Sequence, residues 1–209
     1  MGGLSRRMSE QRDGVGGVCL IGISGKIGSG KTTLAEALQR RFDGVVVCNF
    51  ADALKREVAA IYDVPLARFY DRAEKDCAIS GDVLLTIGEA LQHIGALRRA
   101  ESEDYWLKRT AEFVAAQTCK FVVIGDVRFT NEADWVRERG GFLVRLEGDP
   151  GKVRARSTRS HAHSSETQLD AYDHFDALIN TDRLEPAVIV DVITHLLALR
   201  QTATPQTSP

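Results

Sequence analysis

A glycine-rich segment, GISGKIGSGKTT at 22–33, limits the possible folds of this chain more than any other stretch. Gly25, four further residues and then Gly30, Lys31 and Thr32 fit the pattern G-x-x-x-x-G-K-[ST], which holds nucleotide phosphates. The apolar run before the segment is typical of a short buried strand, and the leucines after it recur at helical spacing. Strand, loop and helix in this order predict a site for a nucleoside triphosphate.

The residue types in this loop match the chemistry of phosphate binding. Successive backbone N–H groups and a helix N-terminus attract phosphate oxygens, and glycines let the backbone come close. Lys31 is expected to reach the β- and γ-phosphates, and the Thr32 hydroxyl is expected to hold Mg²⁺. The loop residues expected to bind the donor are Gly25, Gly28, Ser29, Gly30, Lys31, Thr32 and Thr33.

Composition excludes several classes of function. The 209 residues suggest one domain, at 17–200, between a disordered leader at 1–16 and a disordered tail at 201–209. A formal net charge of −2 gives no general basic field for a nucleic acid polymer, and no apolar run is long enough to predict a membrane span. The four cysteines form no C-x-x-C pair, so we expect buried free thiols in a reducing cytoplasm.

Apolar strand patterns alternate with helical patterns along the chain, which favours a parallel sheet covered by helices on both faces. The expected fold is therefore a doubly wound α/β domain with a parallel five-stranded sheet, whose ligands bind at the carboxyl ends of the strands. The predicted strands are 17–24, 44–49, 119–125, 142–147 and 176–180, and the predicted helices include 82–99, 105–116 and 129–139.

Two segments are expected to serve a second substrate. About seventy mostly helical residues separate the second and third strands, and this insertion at about 51–118 is longer than a crossover needs. The basic stretch at about 152–168 has the composition of a lid that brings cations over phosphates. A purely structural helical cap and a solvated basic helix are the respective alternatives. The cations assigned to the lid are Arg154, Arg156 and Arg159.

Several polar and aromatic residues in the insertion are candidates for substrate contact. Asp52 and Lys55 directly follow the second strand and lie near the phosphate loop, although Lys55 also suits an ordinary solvated helix. Arg98 and Arg99 lie at a helix end, where a guanidinium can clamp a phosphate. Rings that can stack on a base or exclude a ribose hydroxyl, unless they belong to the core, are Phe50, Tyr70, Tyr105 and Trp106.

Asp126 and Arg128 end the third strand of the predicted sheet. The Asp126 carboxylate is expected to act on Mg²⁺ or its waters, and Arg128 is expected to neutralise a phosphoryl group in transfer. An internal Asp–Arg pair with a structural role is the alternative. We take Lys31, Asp126 and Arg128 as the catalytic candidates, and Thr32 and Asp126 as the metal candidates.

These motifs together resemble the phage-type deoxynucleoside monophosphate kinases over about 18–198. The resemblance rests on the phosphate loop, ADALK, LQHIG with the later DYW, GDVRFTNEADWVRERGG, HSSETQLD and LINTDRLEP. It implies a P-loop kinase fold, ATP as donor, a deoxynucleoside 5′-monophosphate as acceptor, Mg²⁺ as cofactor and a cytoplasmic location, which is the host cytoplasm if the chain is encoded by a phage. The residues that it associates with substrate or phosphate are Asp52, Lys55, Arg128, Glu132 and Glu166, with Asn180 near the donor base.

The chain departs from the family pattern in two places. Ala96 and Leu97 follow Gly95 where the family usually has Thr-Glu, and Thr130 replaces a frequent proline. The spacing also leaves open whether Arg98 or Arg99 is the family arginine, and the sequence does not fix the base preference.

Three functions fit the motifs, and the nucleotide kinase is the first of them, with small nucleotides as partners and a homodimer as a possible assembly. A kinase of another phosphorylated metabolite, similar to phosphomevalonate kinases, is the second. A non-enzymatic nucleotide switch or assembly ATPase is the third, but the chain lacks the N-K-x-D motif of GTPases and an acidic pair at the end of the third strand.

Overall fold

The computed structural model describes residues 18–71, 73–80, 83–148 and 167–203. The strands are β1 (Cys19–Gly25), β2 (Val45–Cys48), β3 (Ala78–Ser80), β4 (Val83–Thr86), β5 (Phe121–Val127), β6 (Phe142–Glu147) and β7 (Ala177–Asn180). The helices are α1 (Lys31–Arg41), α2 (Phe50–Ile61), α3 (Ile87–Glu101), α4 (Tyr105–Ala115), α5 (Thr130–Glu138) and α6 (Pro186–Ala203), with 3₁₀ turns at Leu66–Phe69 and Ala73–Asp76.

The five strands expected from the apolar runs form one parallel sheet in the order β2-β5-β1-β6-β7. The predicted fold class is therefore confirmed. β1 lies in the middle, where Ile21 pairs with Val123 of β5 on one side and Phe142 of β6 on the other. This order places the loop after β1 between the carboxyl ends of β5 and β6, the edge at which such sheets bind ligands.

The sheet is buried on both faces, which explains why its strands are almost continuously apolar. One face packs against α1 and α6 through a cluster that includes Ile23, Leu34 and Ile193. The other face carries α5 and a cluster that includes Val122, Trp135 and Leu143.

The insertion between β2 and β5 has an apolar cluster of its own. Helices α2, α3 and α4 contact one another, and Val58, Ile79, Ile94 and Trp106 are buried among them. The cluster explains why so long an insertion holds a defined shape beside the sheet.

The helix predicted at 82–99 is wrong at its start. Val83–Thr86 form β4, which pairs with β3 in an antiparallel hairpin, and α3 begins at Ile87. Thr86 Oγ1 accepts a hydrogen bond from the Glu89 N–H group at 3.1 Å, and Glu89 Oε2 accepts one from the Thr86 N–H group at 2.8 Å. This reciprocal cap fixes the first turn of α3, and the Thr-x-x-Glu spacing was the sequence signal for it.

The cysteine prediction is correct in bonding but not in burial. All four cysteines are free thiols, yet only Cys48 is buried, Cys19 and Cys119 are half-buried and Cys77 is exposed. Cys77 lies beside the hairpin of the insertion, outside the apolar runs that suggested burial for the others.

Some sequence predictions concern residues that the structure does not describe. The leader at 1–16, Arg154, Arg156, Arg159 and Glu166 lie outside the described residues, as do positions 204–209. Helix α6 continues to Ala203, three residues into the range assigned to the tail. No helix among the described residues has the length and apolar character to cross a membrane.

Candidate active site

The phosphate-binding loop, residues 25–32, connects the end of β1 to the start of α1. Gly25 and Gly30 have φ angles of 147° and 90°, which residues with side chains rarely adopt. A Cβ atom on Gly25 would also lie 2.7 Å from the main-chain oxygen of Leu146. Because the N-cap residue Gly30 has no side chain to cap the helix, the first N–H groups of α1 stay accessible to phosphate oxygens.

Lys31 folds back over this loop. Its Nζ donates hydrogen bonds to the main-chain oxygens of Gly25 at 2.6 Å and Lys26 at 2.8 Å. The two carbonyls hold the ammonium group at the mouth of the loop, which is the position expected for a cation that meets the β- and γ-phosphates.

Three hydroxyl groups surround the loop. Thr32 and Thr33 are exposed in the first turn of α1, whereas Ser29 is buried. Ser29 Oγ has no hydrogen-bond partner among the described residues. A buried hydroxyl without a partner is unfavourable, and a phosphate oxygen or a metal-bound water at this position would satisfy it.

A cavity of about 330 Å³ lies between the loop and the connection from β7 to α6. Gly28 and Thr33 line one side of it, and Thr181 and Asp182 line the other. The Asn180 side chain is exposed, and its Oδ1 accepts a hydrogen bond from the Asp182 N–H group at 2.9 Å. Asn180 therefore shapes the turn that borders the cavity, and its expected position near the donor base stays a prediction.

Asp126, at the carboxyl end of β5, binds the start of α2. Its Oδ1 accepts a hydrogen bond from the Phe50 N–H group at 2.7 Å, and its Oδ2 accepts one from the Ala51 N–H group at 3.0 Å. Removal from water raises the pKa of Asp126, against the opposing effects of these N–H groups and of Arg128. The carboxylate faces the positive end of a helix, a structural partner that the sequence did not indicate.

Glu132 is a buried carboxylate at the same edge. Its Oε2 accepts hydrogen bonds from the N–H groups of Arg128 at 2.8 Å and Phe129 at 3.2 Å, and its Oε1 lies 3.6 Å from Arg99 Nη2. Burial and the nearby Asp126 charge raise the pKa of Glu132 to about 7. The carboxylate thus fixes the corner from which the Arg128 side chain projects.

The two neighbouring arginines of α3 point to different places. Arg99 stacks on the Phe129 ring at 3.9 Å and faces Glu132, at the end of β5. Arg98 Nε instead donates to Glu57 Oε1 at 2.7 Å on another side of the insertion. Of the two candidates, Arg99 is the one that lies beside Asp126, Arg128 and Glu132, which favours Arg99 as the phosphate clamp, and the role of Arg98 stays a prediction.

Asp52, Lys55 and Tyr70 form a cluster at the start of α2. Asp52 Oδ1 accepts a hydrogen bond from the Tyr70 hydroxyl at 3.1 Å and lies 3.4 Å from Lys55 Nζ. The Lys55 ammonium lies 4.0 Å from the centre of the Tyr70 ring, which is 53% exposed as a residue. The structure therefore brings these three candidates together and leaves the tyrosine accessible to a ligand.

Of the other aromatic candidates, Phe50 and Trp106 pack in the protein interior and Tyr105 is half-buried. Phe50 and Trp106 are each only 2% exposed, and Trp106 Nε1 donates to the Gly95 main-chain oxygen at 3.3 Å. Tyr105 contacts the Trp106 ring and donates its hydroxyl to Glu57 Oε2 at 3.0 Å, on the same side of the insertion as Arg98. Phe50 and Trp106 therefore have little surface left for a ligand, while contact of Tyr105 with a substrate stays a prediction.

Sequence reasoning missed three charged residues beside the loop. Asp170 accepts hydrogen bonds from Lys26 Nζ at 2.8 Å and Arg145 Nη2 at 2.9 Å. Lys26 occupies a variable position of the loop motif, and Arg145 is a single charge in an apolar strand. Only Asp170, in the HSSETQLD stretch, carried a sequence signal.

Comparisons with known proteins show what the chain is similar to in sequence and in fold. No model of a protein family matches the chain. A protein of Acanthamoeba polyphaga mimivirus, which has the provisional name deoxynucleotide monophosphate kinase, is 29% identical over 181 residues, covering 79% of this chain and 90% of that protein.

Solved structures share the fold at low sequence identity. The shikimate kinase of Aquifex aeolicus has a TM-score of 0.53 at 15% identity, covering 88% of this chain and 99% of its own. The APS kinase of Mycobacterium tuberculosis, solved with AMPPNP and APS, has a TM-score of 0.51 at 16% identity and covers the same shares. TT1252 of Thermus thermophilus has a TM-score of 0.51 at 19% identity, covering 90% of this chain and 100% of its own. The chain therefore has the α/β fold of the P-loop kinases.

Proposed function

We propose that this protein is a kinase that transfers the γ-phosphoryl group of ATP to the 5′-phosphate of a deoxynucleoside monophosphate. The observation that carries the proposal is the pairing of two phosphate-binding features at one sheet edge. The phosphate-binding loop with Lys31 lies on one side, and Arg99, Arg128 and Glu132 lie at the end of the neighbouring strand β5. The mimivirus relative supports a nucleotide as acceptor.

The donor fits the loop and its neighbouring cavity. The N–H groups at the start of α1 and the Lys31 ammonium suit the triphosphate, and the cavity of about 330 Å³ beside Gly28 and Thr33 suits its nucleoside. Pro186 and Leu184 add apolar surface there, which a purine ring can cover.

The residues present fit Mg²⁺ as a cofactor held mainly by the substrate. Thr32 is exposed in the first turn of α1, where its hydroxyl can serve as one ligand, and the described residues contain no cluster of three or more acidic, histidine or cysteine groups. Asp126 already accepts two main-chain hydrogen bonds, so it would hold metal-bound waters and not the ion itself. When bound, Mg²⁺ would supply positive charge that neutralises the phosphate oxygens.

The chemistry requires positioning and positive charge more than a base. A phosphate oxygen of the acceptor attacks the γ-phosphorus, the bond from that phosphorus to the β–γ bridging oxygen breaks, and ADP leaves. The acceptor phosphate is already ionised at neutral pH, so no side chain has to remove a proton. Lys31 is suited to the bridging oxygen, while Arg99 and Arg128 are suited to hold the acceptor phosphate in line.

The experiment that tests the function is a panel of acceptors with ATP and Mg²⁺. We expect nucleoside diphosphate product from at least one deoxynucleoside monophosphate. We also expect kcat/KM about tenfold or more above that for the matching ribonucleotide, because a crowded 2′-hydroxyl without a partner costs about 1–3 kcal/mol. Equal kcat/KM for dCMP and CMP, and for the other matched pairs, would contradict the deoxy preference. Failure of every nucleotide would instead favour another phosphorylated metabolite.

A further inference from the structure

Asp170 joins two cations at the edge of the phosphate-binding loop. Its Oδ2 accepts a hydrogen bond from Lys26 Nζ at 2.8 Å, and its Oδ1 accepts one from Arg145 Nη2 at 2.9 Å. Lys26 follows Gly25 in the loop, and Arg145 belongs to β6. One carboxylate therefore ties the loop to the neighbouring strand.

The strand register determines where the Arg145 guanidinium lies. Arg145 pairs with Ser24, the last residue of β1 before Gly25, and its Nη1 lies 3.5 Å from Ser24 Oγ. The Arg145 side chain is 12% exposed and lines a small depression with Gly25, Lys26 and Arg128. The depression is therefore lined by Lys26, Arg128 and Arg145, which come from the ends of three adjacent strands. It lies directly beside the loop that would hold the terminal phosphate.

Cations outnumber carboxylates around this depression, since Lys26, Arg128 and Arg145 face Asp126 and Asp170. Burial by itself would raise the pKa of Asp170, but its hydrogen bonds and charge interactions with Lys26 and Arg145 outweigh this effect and lower the pKa. Asp170 is thus ionised, and its one negative charge is shared by the positive charges of Lys26 and Arg145. A guanidinium has five N–H donors, so Arg145 can bind Asp170 and a phosphate oxygen at the same time.

We propose that Arg145 is a further phosphate-contacting arginine, in addition to Arg99 and Arg128, and that Asp170 is the residue that positions Arg145 and Lys26 toward the terminal phosphate of the donor. The proposal rests on the proposed kinase function for the reaction. It concerns the donor phosphate, however, which is the same for every acceptor. A hydrogen-bond donor of the protein that is held in place before the reaction stabilises the charge that develops in the transition state, without a cost of reorganisation.

The test compares Arg145→Ala, Arg145→Lys, Asp170→Asn and the double variant Asp170→Asn/Arg145→Ala with the wild-type chain. The matched control is the exposed ion pair of Arg109 and Glu112 on α4, whose atoms lie 3.8 Å apart and whose side chains are 55% and 72% exposed. The control variants are Arg109→Ala and Glu112→Gln. Each variant is measured for Tm, for kcat and KM with the best acceptor, and for the Kd of inorganic tripolyphosphate by calorimetry.

We expect Arg145→Ala to lower kcat about a hundredfold, which is the usual effect of removing one preorganised hydrogen-bond donor. The Tm of this variant should remain near that of the wild type. Arg145→Lys should restore only part of the loss, since an ammonium cannot bind Asp170 and phosphate in the same geometry. Asp170→Asn should cost about tenfold, and the double variant should lose less than the product of the two single losses, because Asp170 acts partly through Arg145. The control variants should stay within about twofold.

Two results would overturn the proposal. The first is kcat, KM and tripolyphosphate affinity within about twofold of wild type for both Arg145→Ala and Asp170→Asn. The second is a loss of activity that is proportional to the loss of Tm in every Asp170 and Arg145 variant. In that case the loss in the double variant would also equal the product of the two single losses.

Tripolyphosphate separates this proposal from the function itself. If the wild-type chain binds tripolyphosphate but phosphorylates no nucleotide, the proposed function fails, and the inference is decided by whether Arg145→Ala weakens that binding about fivefold or more. Unchanged binding in the variant, or no binding by the wild-type chain, overturns the inference as well.

Discussion

A single ammonium group links the geometry of the phosphate-binding loop to its chemistry. Lys31 Nζ is held by the carbonyls of Gly25 and Lys26, both within the loop, so the apolar clusters of the sheet do not depend on it. Residues of this kind can be removed with a large effect on function and a small effect on folding.

We therefore expect Lys31→Ala to lower kcat by about two to three orders of magnitude, because the cation at the β–γ bridge is lost. Its Tm should remain close to that of the wild type. Product formation from ATP and the best acceptor gives the first quantity, and a thermal melt gives the second. Activity within about threefold of wild type, or about 0.7 kcal/mol, would contradict the role of the loop.

Glu132 shows the opposite behaviour, since its burial links the site to stability. Its folded pKa of about 7 lies above the ordinary value of 4.5, so the folded chain binds more protons than the unfolded chain between these values. The free energy of unfolding should therefore fall as pH rises from about 4.5 to about 7 and then stay level, with a total effect on the order of 3 kcal/mol. Asp126 and Arg99 are the charged groups that face this carboxylate, and Arg128 contacts it through its main-chain N–H group.

Glu132→Gln should remove this pH dependence while an amide oxygen still accepts a hydrogen bond from the Arg128 or Phe129 N–H group. Chemical denaturation at about pH 5 and about pH 8 measures the difference. The wild-type chain should lose more stability than the variant between the two pH values. Parallel profiles for both proteins would mean that Glu132 ionises as an ordinary surface carboxylate.

At the scale of secondary structure, α3 separates two adjacent arginines. Successive residues of a helix point about 100° apart, so Arg98 reaches Glu57 while Arg99 reaches Glu132 at the end of β5. The cap formed by Thr86 and Glu89 fixes where this helix begins and the faces that its residues present.

Arg99→Ala should lower kcat/KM for the acceptor by about tenfold or more, because charge-assisted contact with phosphate is lost. Arg98→Ala is the matched control, and we expect a change of less than about threefold, since Arg98 pairs with Glu57 and Glu101 and not with the groups at the end of β5. Steady-state kinetics with varied acceptor measures both. A larger loss in Arg98→Ala than in Arg99→Ala would reverse the assignment.

For the whole molecule, stability is divided between the sheet and the insertion. The apolar clusters on the two faces of the sheet are separate from the cluster that Trp106 completes among α2, α3 and α4. The site lies where these parts meet, with the donor features on the sheet and Arg99 on the insertion.

Trp106→Ala should lower the free energy of unfolding by about 3–5 kcal/mol, because a large buried ring is replaced by a cavity. Tyr105→Phe, which removes only a hydroxyl bonded to Glu57, should cost about 1 kcal/mol. Urea denaturation compares the two variants. If Trp106 formed the wall of a sugar site instead, its removal would change the ratio of dNMP to NMP activity and leave stability nearly unchanged.

Much of the fold could be predicted from local patterns in the sequence. The strands around Ile21, Val46, Val123, Val144 and Ile179 were predicted because residues buried on both faces of a parallel sheet form continuous apolar runs. Val83 and Leu84 misled the helix prediction, since a short apolar run fits both a strand and a helix turn.

The sequence by itself determined the phosphate-binding loop, the central sheet and the residues Asp126 and Arg128 at the end of β5, because each depends on spacing within a few residues. Only the tertiary structure decided that Arg99 and not Arg98 faces the site, that Trp106 belongs to the core and that Asp170 binds Lys26 and Arg145. Asp170 lies 144 residues from Lys26 and 25 residues from Arg145 along the chain. Contacts of that kind follow from the order of strands in the sheet and from the direction in which each helix is packed, and no local pattern contains this information.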